Sequence, residues 1–141
     1  MTIREEERDL FSVPSDYYLV HCISKDFALG AGIAKQFNKK FNMRYELLTN
    51  YPSDEQIIGR ALKVDRVFNL VTKEKYFHKP AYYAIERALC DLRKQVVKSG
   101  IAKLAMPRIA CGLDGKDWTK VRKIIETVFD GADVEILVCV Q

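Results

Sequence analysis

The sequence lacks the features that mark membrane, disordered and disulfide-stapled proteins. No apolar run approaches the ~20 residues that a membrane-spanning helix requires. Its four cysteines (Cys22, Cys90, Cys111 and Cys139) lie far apart and form no closely spaced pair of the kind found in zinc sites. No internal repeat, linker or low-complexity stretch is found. These absences exclude a membrane span, a disulfide framework and an obvious metal site, and we expect no cofactor.

The N-terminus is also too charged to be a secretory signal, since Arg4, Glu5 and Glu6 occur within its first residues. We therefore expect an intracellular protein in a reducing compartment: the cytoplasm of a bacterium, or the nucleus or cytoplasm of a eukaryote. In that setting the cysteines, which have apolar neighbours, are predicted to be small buried hydrophobes. We expect a monomer without a membrane partner.

The composition is that of one globular domain. Hydrophobic residues make up 48% of the chain and charged residues 30%, and 141 residues suffice for one sizeable core but not for two domains. We predict a single domain over residues 1–141. The net charge of +4 slightly favours an anionic ligand but does not establish nucleic-acid binding.

Hydrophobic patterning predicts strands that alternate with helices. An apolar stripe with steps of four, three and four residues indicates one long helix, which Pro80 opens and Gly100 terminates. Asp117 is the expected N-cap of the last helix. Only two residues separate the second and third predicted strands, which indicates a hairpin. The predicted strands are 18–23, 57–64, 67–72, 101–106 and 134–140, the predicted helices are 33–41, 43–48, 80–99 and 118–129, and a turn is predicted at 51–54.

This alternation predicts an α/β fold with three layers and a mixed central sheet. The last strand is nearly all apolar and is expected in the interior of the sheet. Segments 24–34, 73–79 and 107–117 directly follow strands and are polar or rich in glycine. Because ligands of open α/β sheets bind at the carboxyl ends of the strands, these three segments are predicted to form one cleft.

The segment Gly30-Ala31-Gly32-Ile33-Ala34 lies where a strand gives way to a helix. Its glycines permit close approach of a ligand, and the free N–H groups of a helix N-terminus favour a phosphate. The segment matches neither the P-loop nor the GxGxxG pattern, so by itself it is a weak signal that favours a tight turn over a phosphate site.

Other polar residues have ordinary structural explanations when they are considered singly. Lys73 is a surface charge at a strand end, and Asp114 is a turn residue. His21 lies in a buried strand as a hydrogen-bonded core histidine, and His78 is a structural or capping residue. Nothing in the spacing supports Cys22 or Cys111 as a thiol nucleophile paired with a histidine.

Taken together, these segments resemble the macrodomain family, in the branch typified by the terminal ADP-ribose protein glycohydrolase. The matching residues occur in the family's order and cover nearly the whole chain. The Thr-Lys, His-Lys-Pro and Met-Pro-Arg-Ile elements are specific to this branch. The matching segments are Asp9-Leu10-Phe11, His21-Cys22-Ile23-Ser24, Gly30 to Ala34, Leu70-Val71-Thr72-Lys73, His78-Lys79-Pro80, Met106-Pro107-Arg108-Ile109, Cys111 to Asp114, and Trp118.

The resemblance implies a macrodomain fold that binds ADP-ribose in its cleft. Asp9 would accept a hydrogen bond from the adenine amino group, and the amides of the glycine-rich segment would hold the diphosphate. Lys73 and Asp114 would be the catalytic pair. The remaining implied ligand contacts are Leu10, Ser24, Gly30, Ala31, Gly32, Ile33, Ala34, Ala110, Cys111, Gly112 and Leu113.

Three positions depart from the family's pattern. Arg8 replaces the glycine that usually precedes the adenine-binding aspartate, and Ala110 replaces the first glycine of Gly-Cys-Gly. The extra methyl group of Ala110 is expected to tighten the ribose pocket. Ser24 stands where many other macrodomain hydrolases have an asparagine, which argues against their water-activating mechanism and favours the lysine route.

The expected function is removal of ADP-ribose from modified macromolecules, with ester-linked ADP-ribose on glutamate and aspartate of proteins as the substrate. Deacetylation of O-acetyl-ADP-ribose is an expected side activity. Two alternatives stay open: hydrolysis of ADP-ribosylated DNA, as by an antitoxin of a related branch, and binding of ADP-ribose without turnover. The expected partners are therefore ADP-ribose, ADP-ribosylated protein and, in the first alternative, ADP-ribosylated nucleic acid.

Overall fold

The computed structural model describes residues 1–52 and 56–141. Six strands were assigned in that part of the chain: β1 (Thr2–Glu7), β2 (Tyr18–Ser24), β3 (Ala61–Val64), β4 (Val67–Lys73), β5 (Lys103–Met106) and β6 (Glu135–Val140). They form one sheet in the order β1-β6-β5-β2-β4-β3. β3 pairs with β4 in the antiparallel sense and the other neighbouring pairs are parallel, which confirms the predicted mixed sheet.

Helices cover both faces of this sheet, which confirms the three-layer fold. They are α1 (Gly32–Phe41), α2 (Met43–Asn50), α3 (Tyr82–Ser99) and α4 (Trp118–Val128), and a short 3-10 helix spans Leu10–Ser12. None of the helices in the described ranges is long and apolar enough to cross a membrane.

Successive side chains of a strand point to opposite faces of the sheet, so the core consists of two apolar clusters, one on each face. In β6, Ile136 and Val138 pack in the cluster that includes α3 and α4, whereas Leu137 packs in the cluster that includes α1 and α2. β6 lies between β1 and β5, so both of its edges are paired, as its apolar sequence indicates.

One predicted strand was wrong in its extent, and one strand was missed. The strand predicted at 57–64 begins only at Ala61, because residues 57–60 form a turn in which Gly59 has a φ of +87° and the Arg60 N–H donates to the Ile57 carbonyl. β1 was not predicted at all. It is an edge strand whose side chains are charged and mostly exposed, so no apolar alternation marks it.

The other boundaries differ from the predictions by one or two residues. Gly100 caps α3 with a φ of +65°, and the Asp117 carboxylate accepts from the Thr119 N–H, so both predicted caps are confirmed. α3 begins at Tyr82 rather than at Pro80. Half of the turn predicted at 51–54 lies outside the described residues.

The cysteines are all unpaired thiols, but the prediction that each is buried was wrong for one of them. Cys90 is exposed on α3, whereas Cys139 is buried and Cys22 and Cys111 are half-buried. Cys90 does not belong to the apolar stripe of α3 and therefore points away from the sheet.

Candidate active site

A cavity of about 840 Å³ opens at the carboxyl edge of β2, β4 and β5. The segments that follow these three strands line it together, as their position in the sequence predicts. Its size lies within the range typical of small-molecule sites. The lining residues are Cys22, Ser24, Ala28 to Ala34, Lys73, Tyr76 to Lys79, Pro107 to Ala110, and Gly112 to Asp114.

The segment after β2 reaches α1 through an irregular backbone. Phe27 and Leu29 have φ values of +51° and +46°, which residues other than glycine rarely adopt. Both side chains are buried, so apolar packing holds this conformation in place. This packed segment forms part of the cavity lining.

α1 begins at Gly32 and directs its N-terminal end at the cavity. Its N-cap residue, Ala31, supplies no side-chain hydrogen bond to the first turn. A helix N-terminus without a side-chain cap presents free N–H groups and the positive end of the helix dipole. This end of the cavity is therefore suited to an anionic group such as a diphosphate.

Leu113 forms a cover over the start of α1. A Cβ atom built on Gly32, which has a φ of +58°, would lie 3.2 Å from Leu113 Cδ1. The Lys79 ammonium donates a hydrogen bond to the Leu113 carbonyl oxygen. Segments from all three strand ends therefore meet around Leu113, whose side chain is 69% exposed.

The segment after β5 is a compact loop. The Lys116 N–H donates to the Ala110 carbonyl at 2.8 Å, and the Gly115 N–H donates to the Gly112 carbonyl at 3.0 Å. Ala110 lines the cavity with a φ of +62°, a left-handed conformation that glycine adopts without strain. The backbone geometry explains why the related branch usually has a glycine at this position.

Lys73 and Asp114 face each other inside the cavity. Lys73 ends β4, Asp114 lies in the loop after β5, and Lys73 Nζ is 2.6 Å from Asp114 Oδ1. Each side chain is 14% exposed. Lys73 is thus not the solvated surface lysine that its position at a strand end indicates, and Asp114 does more than shape a turn.

Three of the residues that the resemblance implies do not line the cavity. Asp9 and Leu10 lie at the 3-10 helix, where the Asp9 carboxylate caps the turn by accepting from the Phe11 N–H at 3.0 Å. Leu10 is buried in the core. Cys111 donates its thiol hydrogen to the Ile109 carbonyl. Their roles as ligand contacts stay predictions.

The thiols near the cavity are poorly suited to nucleophilic chemistry. Burial raises the pKa of Cys22 to about 12, and the nearby Asp114 carboxylate adds to the effect. Burial also raises the pKa of Cys111 to about 11. Both remain uncharged thiols at neutral pH, which agrees with the absence of thiol-nucleophile spacing in the sequence.

The two histidines have separate structural roles. His21 is buried, its ring stacks on Phe37 with a centroid distance of 3.8 Å, and its Nε2 lies 2.6 Å from Asn69 Oδ1. Its Nδ1 has no hydrogen-bond partner among the described residues, so the expected core histidine is only half satisfied. His78 Nδ1 accepts from the Lys75 N–H at 3.4 Å and closes the turn before α3.

Sequence reasoning missed two features of the site. Asp26 joins the segments after β2 and β4 through hydrogen bonds from the N–H groups of Ala28 and Tyr76. Tyr76 and Phe77 are exposed aromatic residues in contact at the mouth of the cavity. The sequence does contain a signal for the role of Asp26, because an aspartate just after a strand often accepts hydrogen bonds from nearby backbone N–H groups.

No cluster of three or more histidine, cysteine or acidic side chains suited to a metal ion occurs within residues 1–52 and 56–141. The cavity is lined by the Lys73–Asp114 pair, by two further cationic side chains, Lys79 and Arg108, and by polar side chains, free backbone N–H groups and apolar walls. The free N–H groups suit an anionic part of a ligand, and the paired amine and carboxylate can exchange a proton.

The fold and the cavity together define an α/β domain with a ligand cleft at the carboxyl edge of a mixed sheet. The chain is 42% identical to the ADP-ribose glycohydrolase OARD1 of Bos taurus over 130 residues, which cover 92% of this chain and 86% of that protein. No family model matches the chain. From this relative and the fold, the chain belongs to the macrodomain family.

Two further relatives extend the comparison. The solved macrodomain of Thermus aquaticus DarG superimposes with a TM-score of 0.85 at 25% identity, covering 98% of this chain and 97% of that one. The DNA ADP-ribosyl glycohydrolase of Mycobacterium bovis is 29% identical over 123 residues, which cover 78% of this chain and 33% of that protein. The family therefore includes relatives named for more than one kind of substrate.

Proposed function

We propose that the protein is an ADP-ribosyl glycohydrolase that removes ester-linked ADP-ribose from glutamate and aspartate side chains, with Lys73 as nucleophile and Asp114 as its proton partner. The observation that carries the proposal is the contact of 2.6 Å between Lys73 Nζ and Asp114 Oδ1 inside the cleft. Binding of ADP-ribose alone requires neither group. The name of the bovine relative supports the same activity.

The cleft offers a separate place for each part of ADP-ribose. The diphosphate binds at the N-terminus of α1, where Gly30, Ala31, Gly32 and Ile33 supply N–H groups. Ala34, which lines the cavity, is a further predicted contact of the ligand, as is Leu10, which lies in the same apolar cluster as Ile33 and Ala34. The loop of Ala110, Cys111, Gly112 and Leu113 holds the second face of the ligand. The distal ribose then lies beside Lys73 and Asp114.

In the first step the Lys73 ammonium transfers a proton to the Asp114 carboxylate, which lies within hydrogen-bond distance. The neutral amine attacks C1″ of the distal ribose and forms a C1″–N bond. The C1″–O bond to the acyl group breaks, and its electron pair leaves with the carboxylate of the modified side chain. A carboxylate is a stable leaving group and needs no strong acid.

In the second step water attacks C1″ of the lysyl-ribose intermediate. Asp114, having released its first proton to solvent, takes a proton from this water. The C1″–N bond breaks with its electron pair going to nitrogen, and Lys73 then takes the proton back from Asp114. The net reaction consumes one water and yields ADP-ribose, the free carboxylate and one proton. The groups named require no metal or cofactor.

The proposal is tested by measuring ADP-ribose released from auto-modified protein by the wild type and by Lys73→Ala. We expect hydrolysis to fall by orders of magnitude in the variant while ADP-ribose affinity stays within about tenfold, because the amine acts in the transition state. Lys94→Ala, which removes an exposed lysine of α3, is the matched control and should be fully active. Near-normal turnover in Lys73→Ala would contradict the lysine mechanism.

A second candidate, hydrolysis of ADP-ribosylated DNA, is favoured by the 29% identity to the DNA ADP-ribosyl glycohydrolase of Mycobacterium bovis. The same release assay with ADP-ribosylated DNA separates the two candidates, since the faster substrate identifies the attached macromolecule. O-acetyl-ADP-ribose is an expected side substrate, because it presents the same ADP-ribose to the cleft and carries an acyl ester that water can hydrolyse. Absence of turnover on every substrate would indicate a reader of ADP-ribose.

A further inference from the structure

The Asp26 carboxylate connects two of the segments that build the cleft. Its Oδ1 accepts from the Ser24 hydroxyl at 2.5 Å and from the Ala28 N–H at 3.1 Å. Its Oδ2 accepts from the Tyr76 N–H at 3.0 Å. One oxygen thus bonds to the segment that leads into α1, and the other bonds to the segment that follows Lys73.

Asp26 acts where the backbone contacts between these segments end. The β2–β4 ladder has an irregularity after Ile23, and Ser24 is opposite Lys73. Within the described part of the chain, the bond from the Lys25 N–H to the Lys73 carbonyl at 2.8 Å is the last one between the two backbones. Beyond this bond, the Asp26 side chain links the two segments through its hydrogen bonds from Ala28 and Tyr76.

The hydrogen bonds of Asp26 favour the ionised carboxylate. Burial by itself raises the pKa of Asp26, but the hydrogen bonds from Ser24, Tyr76 and Ala28 outweigh burial, so the pKa lies below its usual value. At neutral pH the group is therefore an acceptor only, and all three donors are bound to it. The Ser24 hydroxyl has committed its single proton and keeps only lone pairs for a ligand.

We infer that Asp26 is a positioning residue, which sets the distance between the diphosphate end of the cleft at α1 and the Lys73 end by joining Ala28 to Tyr76. The diphosphate and C1″ are separate points of one flexible ligand, so the protein must hold both ends of the cleft at a fixed distance to bring C1″ to Lys73. Asp26 contacts neither Lys73 nor Asp114 in the hydrogen-bond network, and it acts through the backbone on either side.

Asp26→Asn tests this inference selectively. An asparagine has one acceptor oxygen and one amino group in place of two acceptor oxygens. The oxygen satisfies two donors if it faces Ser24 and Ala28, and the amino group then meets the Tyr76 N–H and cannot accept from it. This variant therefore breaks the connection to Tyr76 and preserves the α1 segment, whereas Asp26→Ala breaks both.

The expected result differs between the two variants. In Asp26→Asn, amide hydrogen exchange in residues 74–79 should increase, and the single-turnover rate at saturating substrate should fall about ten- to a hundredfold, because small misplacements of reacting groups have effects of this size. The affinity for ADP, which lacks the distal ribose and so does not reach Lys73, should stay within about threefold by calorimetry. In Asp26→Ala the ADP affinity should fall as well, about fivefold or more.

Asp133→Asn is the matched control, because Asp133 is exposed and precedes β6. It therefore lies at the amino-terminal ends of the parallel strands, whereas the cleft lies at their carboxyl ends. It should match the wild type in all three measurements. The inference would be overturned if amide exchange in residues 74–79 of Asp26→Asn equals that of the wild type. It would also be overturned if the asparagine and alanine variants lose the same amount of ADP affinity. Of the three measurements, only the single-turnover rate depends on the proposed function. If the wild type shows no turnover, amide exchange in residues 74–79 and the ADP affinity still test the role of Asp26.

Discussion

Asp114 has two roles in the proposed reaction, one before and one after the covalent intermediate forms. Its carboxylate accepts a proton from Lys73 before attack and activates water afterwards. Lys73 Nζ also loses its hydrogen bond of 2.6 Å when Asp114 is removed. A variant that still forms the intermediate but cannot hydrolyse it should accumulate the covalent species.

We predict that Asp114→Ala stops turnover and slowly accumulates a lysyl-ribose adduct on Lys73, because the Lys73 proton is then lost to solvent before attack and no base activates water afterwards. Intact-protein mass spectrometry after incubation with substrate detects the adduct, and digestion maps it to one residue. Lys73→Arg should form no adduct and show no turnover, because a guanidinium stays protonated and is a poor nucleophile. An adduct on another lysine would refute the assignment of Lys73.

Asp9 combines a structural role with its predicted role in adenine recognition. One carboxylate oxygen caps the 3-10 helix through the Phe11 N–H. Asp9→Ala therefore removes a cap, worth about 1 kcal/mol of stability, together with any ligand contact. An affinity loss in the alanine variant does not by itself identify adenine as the group that Asp9 contacts.

Asp9→Asn removes this ambiguity, because asparagine caps as well as aspartate and presents an amino group in place of the second oxygen. We predict a loss of ~1–3 kcal/mol in ADP-ribose affinity with an unchanged melting temperature. Ribose 5-phosphate, which lacks adenine, serves as the control ligand and should bind the variant and the wild type equally. Equal losses for both ligands would show that Asp9 does not contact adenine.

At the scale of the element, the start of α1 is constrained by conformation, packing and charge at once. Gly32 has a positive φ and lies beneath Leu113. Most L residues at this position would be strained, and any side chain would displace the Leu113 cover. An acidic side chain would also oppose a phosphate at the helix N-terminus.

We predict that Gly32→Glu lowers ADP-ribose affinity at least about a hundredfold by calorimetry, through clash and charge repulsion. Gly131→Glu is the matched control: Gly131 has a φ of +79° and nothing within 4 Å of an added Cβ. It has the same conformational penalty and added charge, and it lies before β6, away from the cleft. The control should lose stability but keep its affinity, and unchanged affinity in Gly32→Glu would remove this segment from the site.

Elements with strong apolar periodicity were predictable from the sequence. α3 follows from its stripe of Ile85, Leu89, Leu92 and Val96, each of which is buried. β1 was not predictable in this way, because its pairing with β6 uses backbone groups and leaves charged side chains at the edge. Residues 57–60 contain β-branched and apolar residues, yet the positive φ of Gly59 turns the chain there.

At the scale of the whole molecule, chain order and the rule for parallel strands predicted that three distant segments form one cleft. The resemblance, and not any local pattern, selected Lys73 and Asp114 from the many charged residues. The connection through Asp26 was not predictable, because it requires the position of the Tyr76 N–H, which is 50 residues away in sequence. Contacts between loops depend on backbone geometry that periodicity does not report.

Stability of the whole molecule is expected to depend on His21 at mildly acidic pH. Asn69 donates its amide hydrogens to the Leu62 carbonyl and towards Met43, so its oxygen accepts from His21 Nε2–H. A second proton would go to Nδ1, which has no acceptor among the described residues. Burial lowers the pKa of His21 to about 4, although the bond to Asn69 opposes this effect.

Because the pKa of His21 is lower in the folded state than the ordinary value of 6.5, the unfolded chain binds a proton first as the pH falls. The free energy of unfolding should therefore decrease between pH 6.5 and about 4, by up to about 3 kcal/mol, and stay level above that range. Asp26 and Glu5, whose pKa values are lowered from 3.8 and 4.5, keep most of their stabilising effect at pH 5.0 and lose it as the pH falls below those values. Urea unfolding at pH 7.5 and 5.0 measures the difference. His21→Gln keeps a donor for Asn69 and cannot titrate, so its stability should change much less between the two pH values; an equal change in both proteins would assign the pH dependence to other groups.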